Sequence, residues 1–348
     1  MTNILVIKLR YIGDVLLATP ALRALREHFP EARLTVAVNR GTEDILEWNP
    51  DINEVLVVDR GGPIAQTRFL RRIRQRRFDC VIDLTDGDRS AILSRLSGAP
   101  IRIGFNEEHR WRGLLYTSVV KLKASTVHRL ERDLEAVGLL GIEPKSSPLV
   151  LQTSSGDEQE AARLLEEVRV QQSASENDRP LVMIHPGARY WFKAWPPERF
   201  AELTDRLTVA LNCHVLIGGD AGDRDVAERI RTLARTCPVS LVGRTTLLQL
   251  AATLKRCALL VSNDNGPMHM AAARGIPVVA LFGPSDPSVW GPRGEKVEVL
   301  YKGLDCRRCF HPTCEQGENN CMRRISVDEV FVAASRLLVP KDTDSGRA

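Results

Sequence analysis

Two successive series of short apolar runs, each run followed by a segment of helical spacing, constrain this chain more than any other feature. Such alternation is the pattern of parallel sheets joined by crossover helices. The first series comprises Asn3 to Lys8, Arg33 to Val38, Glu54 to Val58, Asp79 to Leu84 and Ile101 to Gly104. Between its first two runs, Asp14 to His28 carries Val15, Leu16, Ala18, Leu22 and Leu25 at helical spacing. The second series comprises Leu181 to His185, His214 to Ile217, Val239 to Val242, Leu259 to Ser262, Pro277 to Phe282 and Val297 to Leu300. Between them the strand signal lapses from Pro144 to Pro180, where a charged helix from Asp157 to Val168 precedes an almost wholly polar stretch, Gln171 to Asp178. The reading is α/β: a Rossmann-like domain over 1–170, a linker over 171–180, a second Rossmann-like domain over 181–325 and a helix and tail over 326–348. A length of 348 residues suits two hydrophobic cores better than one.

Doubly wound sheets bind ligands at the carboxyl ends of their strands, so the strand-to-helix turns carry the functional expectations. The first, Lys8-Leu-Arg-Tyr-Ile-Gly-Asp14, lacks the glycine pattern of a dinucleotide or P-loop site. It offers Asp14 either as a helix cap or as a general base within reach of a sugar hydroxyl. The second turn follows His185 and brings Lys193 just ahead of the helix start at Trp195-Pro196. Lys193 is either an ordinary exposed lysine or a cation meeting a phosphate drawn to that helix. The third, Val261-Ser-Asn-Asp-Asn-Gly-Pro-Met-His269, runs from a buried strand into a helix over Met268 to Arg274. Asn265-Gly266 is either a plain turn or an anion site. In the second case Gly266 allows close backbone approach, His269 donates to the anion and Asp264 accepts from sugar hydroxyls.

Charge is mild overall, at +4, but uneven: the stretch from Arg60 to Arg77 holds seven arginines and no acid. A solvated helix face explains them, as does attraction to an anionic surface. Aromatic residues make up 5% of the chain and do not interleave with the basic ones, which argues against nucleic acid as a partner. No apolar run approaches the ~20 residues of a membrane span, and Lys8, Arg10 and Asp14 interrupt any signal-peptide core, so a cytoplasmic location is expected. Cys80, Cys213, Cys237 and Cys257 read as small core residues. Cys306, Cys309, Cys314 and Cys321 cluster as C-x2-C-x4-C-x6-C, readable as a zinc site, as unligated thiols or as a redox-sensitive staple.

The chain resembles the bacterial heptosyltransferases, glycosyltransferase family 9, over nearly its whole length. The resemblance is carried by Ile7-Lys-Leu-Arg-Tyr-Ile-Gly-Asp-Val15, Phe192-Lys-Ala-Trp-Pro196, Asn263-Asp-Asn-Gly-Pro-Met-His-Met-Ala271 and Leu281-Phe-Gly-Pro-Ser-Asp-Pro287. It implies a GT-B fold of two facing Rossmann-like domains, the acceptor held mainly by the first and ADP-heptose mainly by the second. It also implies inverting transfer of heptose to the inner core of lipopolysaccharide at the cytoplasmic face of the inner membrane. By residue, it implies Asp14 as catalytic base, Lys193 as the lysine that binds the donor phosphates and eases ADP departure, and Asp264, Asn265, Gly266 and His269 as donor loop. Gly187 and Ala188 stand where some members bind phosphate through hydroxyl side chains, so that here backbone amides or Arg189 would serve; Asp220, in preference to Asp223, would read the ribose, and Thr245 would pass beside adenine. Arg10 and Gly13 would meet the acceptor, a lipid-linked core saccharide. No cofactor is required, zinc at the four cysteines being the one exception considered. Trp191-Phe-Lys193, with Leu84-Thr-Asp-Gly-Asp88, looks most like the heptosyltransferase III branch, and type II shares most of these motifs. A sugar-nucleotide epimerase and a non-enzymatic sugar- or metal-binding protein are the rival readings.

Overall fold

The computed structural model describes residues 1–58, 61–124, 126–143, 147–171, 179–303, 306, 309 and 314–338. Arg60, the polar stretch 172–178 and the tail from 339 lie outside the described residues. The chain divides into two compact units, Met1–Gln152 and Thr153–Ala348.

In the first unit, β1 (Asn3–Lys8), β2 (Arg33–Asn39), β3 (Glu54–Val58), β4 (Cys80–Asp83), β5 (Ile101–Gly104) and β6 (Ser118–Val119) form one sheet in the order β3-β2-β1-β4-β5-β6. Every pairing is parallel. The central strand is apolar on both faces: Ile4, Leu5, Val6 and Ile7 are all buried, as expected where helices cover a parallel sheet on each side. The helices are α1 (Ile12–Leu17), α2 (Thr19–His28), α3 (Pro63–Gln75), α4 (Asp88–Leu96) and α5 (Arg129–Gly138). One helix was expected from Asp14 to His28, and two are found. Pro20 has no amide to continue the ladder, and the Thr19 hydroxyl donates to Leu16 O at 2.8 Å, so the chain restarts there. In α3, Ile73 is buried while Arg68, Arg71, Arg72, Arg74 and Arg77 beside it face solvent, and Arg76 pairs with Glu54.

In the second unit, α6 (Ser155–Gln171) leads into β7 (Leu181–His185), α7 (Pro197–Ala210), β8 (His214–Ile217), α8 (Arg224–Leu233), β9 (Val239–Ser240) and α9 (Leu247–Leu254). Then follow β10 (Leu259–Asn263), α10 (Gly266–Ala273), β11 (Val278–Phe282), α11 (Pro287–Trp290), β12 (Val297–Tyr301), α12 (Cys321–Arg324) and α13 (Val327–Leu338). The strand order is β12-β11-β10-β7-β8-β9, again parallel throughout. Each sheet therefore reverses direction beside its first strand, at β1/β4 and at β7/β10, where doubly wound folds open their ligand crevices.

The domain boundary differs from the expected one. It falls after Gln152 rather than 170, because α6 buries Ala161, Leu164, Leu165 and Val168 and packs on α9. Glu158 of that helix pairs with Arg256 at 2.5 Å and Arg274 at 3.0 Å, and Glu167 pairs with Arg244 at 2.5 Å. Nor is α13 a separate appendage: its Val330, Ala333 and Ala334 belong to the core of the second unit.

Candidate active site

At the carboxyl end of the first sheet, the turn leaving β1 is tied to its neighbour β4. Leu9 N donates to Thr85 Oγ1 at 2.7 Å, while the Arg10 guanidinium donates to Thr85 O at 3.0 Å and Asp86 O at 3.3 Å. Arg10 thereby spans the switch point, and Gly13 lies buried in the first turn of α1. Tyr11, not Asp14, is the N-cap of α1. Asp14 is the third residue of the helix, 9% exposed, and its carboxylate makes no hydrogen bond among the described residues. The capping role weighed for Asp14 is thus not the one it has, and the carboxylate remains open to another partner. Around it lies a dense ionic cluster. Lys8 pairs with Asp133 at 2.5 Å, both side chains being buried, and Asp86, at a left-handed φ of 57°, accepts from Arg112 at 2.9 Å and Arg132 at 2.6 Å. Asp88, from the same turn, pairs with Arg110 at 2.9 Å.

In the second unit the turns after β7 and β10 are joined by side chains that composition alone does not single out. Asn263, fully buried at the end of β10, donates to Pro186 O at 2.7 Å and accepts from Trp195 N at 3.1 Å. The Asn265 amide lies 2.8 Å from Gly187 O and 3.0 Å from His185 Nδ1, and its oxygen accepts from Ser262 Oγ at 2.8 Å. Burial pushes the His185 imidazolium down to about 4, so the ring is neutral near pH 7 and Nδ1 can accept that amide. These bonds hold two turns as one rigid floor.

On that floor Lys193 Nζ meets Asp264 Oδ2 at 2.6 Å, with the lysine 22% and the carboxylate 9% exposed. Asn265, the N-cap of α10, makes no side-chain capping bond, which leaves the amides of Gly266 and Met268 directed at the space before the helix. His269 follows in the first turn, 4% exposed. The structure therefore gathers Lys193, Asp264, Asn265, Gly266 and His269, as the sequence suggests. Gly187 is beside them and accepts from Asn265, whereas Arg189 is exposed, its guanidinium 5.6 Å from the Tyr190 ring. Thr245 lies half-buried in the loop ahead of α9.

The two candidate ribose acids are distinguished by geometry. Asp220 is exposed and caps a short turn, accepting from Gly222 N at 2.6 Å. Asp223 instead turns inward: a Cβ built on Gly187 would lie 2.4 Å from Asp223 Oδ2, and one on Gly219 would lie 2.7 Å from it. Only glycine at both positions leaves room for that carboxylate. Burial raises the pKa of Asp223, opposed by the hydrogen bond from Asp220 N. Asp223 thus lies against Gly187 and Gly219, while Asp220, the acid preferred from the sequence, faces solvent.

The cysteines divide differently from expectation. Cys80, Cys213 and Cys257 are buried, with burial pushing their thiols up to about 12, 11 and 12, but Cys237 is exposed, at a left-handed φ of 47°. Cys309, Cys314 and Cys321 spread along the wall of a cavity of about 570 Å³ shared with Trp191, Phe192 and Met322. Among the described residues, no three cysteine, histidine or acidic side chains are gathered closely enough to hold a metal ion. The zinc reading of Cys306, Cys309, Cys314 and Cys321 therefore finds no ligand shell. The cavity wall does fix the lysine loop: Trp195 Nε1 donates to Ile325 O at 2.9 Å, and a Cβ on Gly283 would lie 3.0 Å from Phe192 O.

Comparison with known proteins bears on the whole chain. The sequence pattern of glycosyltransferase family 9 (heptosyltransferase) matches residues 66–319. Lipopolysaccharide heptosyltransferase 3 of Escherichia coli is 28% identical, covering 96% of this chain and 99% of its own. Among solved structures, the family 9 glycosyl transferase of Veillonella parvula superposes with a TM-score of 0.83 at 27% identity, over 97% of each chain. The ADP-heptose lps heptosyltransferase II of E. coli gives 0.77 at 26% identity, covering 97% of this chain and 98% of that one. With two six-stranded parallel sheets, the fold is GT-B-like. The chain belongs to glycosyltransferase family 9, the heptosyltransferases, and is a sugar-transferring enzyme rather than an epimerase or a non-catalytic sugar binder.

Proposed function

We propose that this enzyme transfers heptose from ADP-heptose to a heptose-bearing inner-core acceptor of lipopolysaccharide, in one inverting displacement. The observation that carries the reading is the Lys193–Asp264 pair at the open N-terminus of α10. A cation for the diphosphate stands there beside an acid for sugar hydroxyls, on a floor rigid enough to keep both in place. Asp14 takes the proton of the acceptor hydroxyl as its oxygen bonds to the anomeric carbon. The bond from that carbon to the β-phosphate oxygen breaks, and its electron pair leaves with ADP. Lys193 and the amides of Gly266 and Met268 meet the charge that develops on the diphosphate. Asp223, between Gly187 and Gly219, takes the ribose hydroxyls, with Thr245 beside the base and Arg189 near the phosphates. Arg10 and Gly13 hold the acceptor next to Asp14.

Type III specificity is supported by Trp191-Phe-Lys193 and by the turn Thr85–Asp88, and the similarity to a heptosyltransferase II keeps type II as the second reading. No helix among the described residues is long and apolar enough to cross a membrane. The exposed arginines of α3 supply a peripheral contact with anionic lipid at the cytoplasmic face of the inner membrane, where the acceptor is found. Replacing Asp14 by Asn tests the chemistry: turnover falls by about two orders of magnitude or more while ADP affinity is unchanged. Undiminished turnover would remove Asp14 from the mechanism.

A further inference from the structure

The turns after β1 and β4 are joined by cations of the first reaching carbonyls of the second. Lys8 Nζ donates to Leu84 O at 3.1 Å, and the half-buried Arg10 takes the next two carbonyls, Nε donating to Thr85 O at 3.0 Å and Nη2 to Asp86 O at 3.3 Å. The turn that carries these carbonyls is itself fixed from other sides. Thr85 N donates to Asp83 Oδ1 at 2.9 Å, and Thr85 Oγ1 donates to Ile7 O at 3.2 Å. Asp86 holds its left-handed φ of 57° with a carboxylate that takes Arg112 and Arg132, whose side chains are both 3% exposed. The guanidinium of Arg10 is thereby clamped along one edge in a single orientation.

The edge that grips is formed by Nε and Nη2, which leaves the fork of Nη1 and Nη2 at the tip of the side chain. Among the described residues Nη1 makes no hydrogen bond and Arg10 forms no ion pair. Its charge is answered by carbonyl dipoles alone. The acids of the surrounding cluster are committed to other cations: Asp133 to Lys8, Asp86 to Arg112 and Arg132, and Asp88 to Arg110. A guanidinium held in this way presents a planar, charged fork that matches two oxygens of a phosphate or carboxylate. Arg10 also lies just past β1 at the switch point of the first sheet, where doubly wound folds take their ligands, and the turn leads into the helix that carries Asp14.

We propose that Arg10 determines acceptor specificity by binding an oxyanion: the open fork of its guanidinium takes a phosphate or carboxylate group of the acceptor saccharide, and the enzyme selects acceptors that carry one. This rests on the reading of Arg10 as an acceptor residue. Because two fixed carbonyls set the direction of the fork, the anion orients the acceptor as well as attracting it.

The test measures kcat and KM for the parent, Arg10→Gln and Arg10→Lys with ADP-heptose and one truncated, heptose-terminated core acceptor in four forms: intact, dephosphorylated, methyl-esterified at its carboxylates, and treated both ways. Calorimetry gives ADP affinity, which stays that of the parent, and thermal melting checks folding. With the intact acceptor, Arg10→Gln is expected to lower kcat/KM by about tenfold to a hundredfold, mainly through the acceptor KM, the scale of a charge-assisted pair of hydrogen bonds. Taking the anion off the acceptor should cost the parent a similar factor. The two losses should not multiply, so the deficit of the variant shrinks by about fivefold or more on the doubly treated acceptor. The single treatment that produces the shrinkage tells phosphate from carboxylate. Arg10→Lys, which keeps the charge without the fork, should show a smaller deficit of the same pattern, and carries the test if the glutamine variant does not fold. A deficit of equal size on the intact and doubly treated acceptors would overturn the proposal and leave Arg10 as a tie between two turns. So would a parent indifferent to both treatments. If the parent transfers heptose to none of the four acceptors, the proposed function fails and takes the proposal with it. Transfer by the parent with an unshrunken deficit fails the proposal alone.

Discussion

Replacing Lys193 by Met separates what this lysine does for stability from what it does for transfer. Lys193 Nζ sits 2.6 Å from Asp264 Oδ2, the lysine 22% and the acid 9% exposed. A fully exposed pair would be worth about 0–1 kcal/mol, and stranding one partner of a fully buried pair costs about 3–5 kcal/mol. This pair lies between those limits, so Lys193→Met, which leaves Asp264 without its cation, should cost about 2 kcal/mol. In a unit spanning Thr153–Ala348 that is a drop in melting temperature of about 4–8 °C. The double variant Lys193→Met/Asp264→Asn removes the stranded charge and should recover most of that loss. Activity should not recover. Without a cation on the leaving diphosphate, turnover falls by roughly 10²- to 10³-fold in both variants. Calorimetric melting and steady-state ADP release on the same preparations report the two quantities. A single variant as stable as the parent, or a double variant no more stable than the single, would refute the pairing argument. Recovery of turnover in the double variant would refute the catalytic one.

Asp223→Asn should weaken ADP binding by about tenfold, the scale of one charge-assisted hydrogen bond, while Asp220→Asn changes it little; calorimetry that ranks them the other way restores Asp220 as the ribose acid. Reversing the charges of Arg71, Arg72 and Arg74 should weaken binding to anionic vesicles by about 1 kcal/mol per residue brought near the surface, with parent binding that fades as salt rises. Vesicle binding indifferent to salt and to these substitutions would detach α3 from the membrane.

Much of this architecture is visible in one dimension because parallel strands buried on both faces must be uninterrupted apolar runs, and because each is followed by a turn whose glycine, proline or carboxylate marks a helix start. Ile4–Ile7 and Leu259–Val261 are such runs, and the turns after them carry Asp14 and Asp264. What was not visible is pairing across distance. Lys193 and Asp264 are 71 positions apart, and nothing local to either announces the other. The same holds for Asn263, which binds Pro186 O and Trp195 N and looks in sequence like the polar end of a strand. α6 was placed in the first half because it precedes a polar stretch, yet Glu158 and Glu167 find their arginines on later helices and loops of the second unit. The fit of the Asp223 carboxylate against Gly187 and Gly219 is likewise a fact of three dimensions. The break at Thr19-Pro20 was legible, since a proline after a threonine inside a helical pattern is itself a reason to restart the helix.

The central claim is transfer of heptose itself. Its most direct measurement incubates the purified chain with ADP-heptose and a panel of truncated, heptose-terminated core acceptors, following acceptor mass and ADP release together. The account predicts an acceptor heavier by one heptose, one ADP released per heptose gained, and a product linkage of opposite anomeric configuration to the donor. Consumption of ADP-heptose with no acceptor present, or no mass gain on any acceptor of the panel, would contradict it.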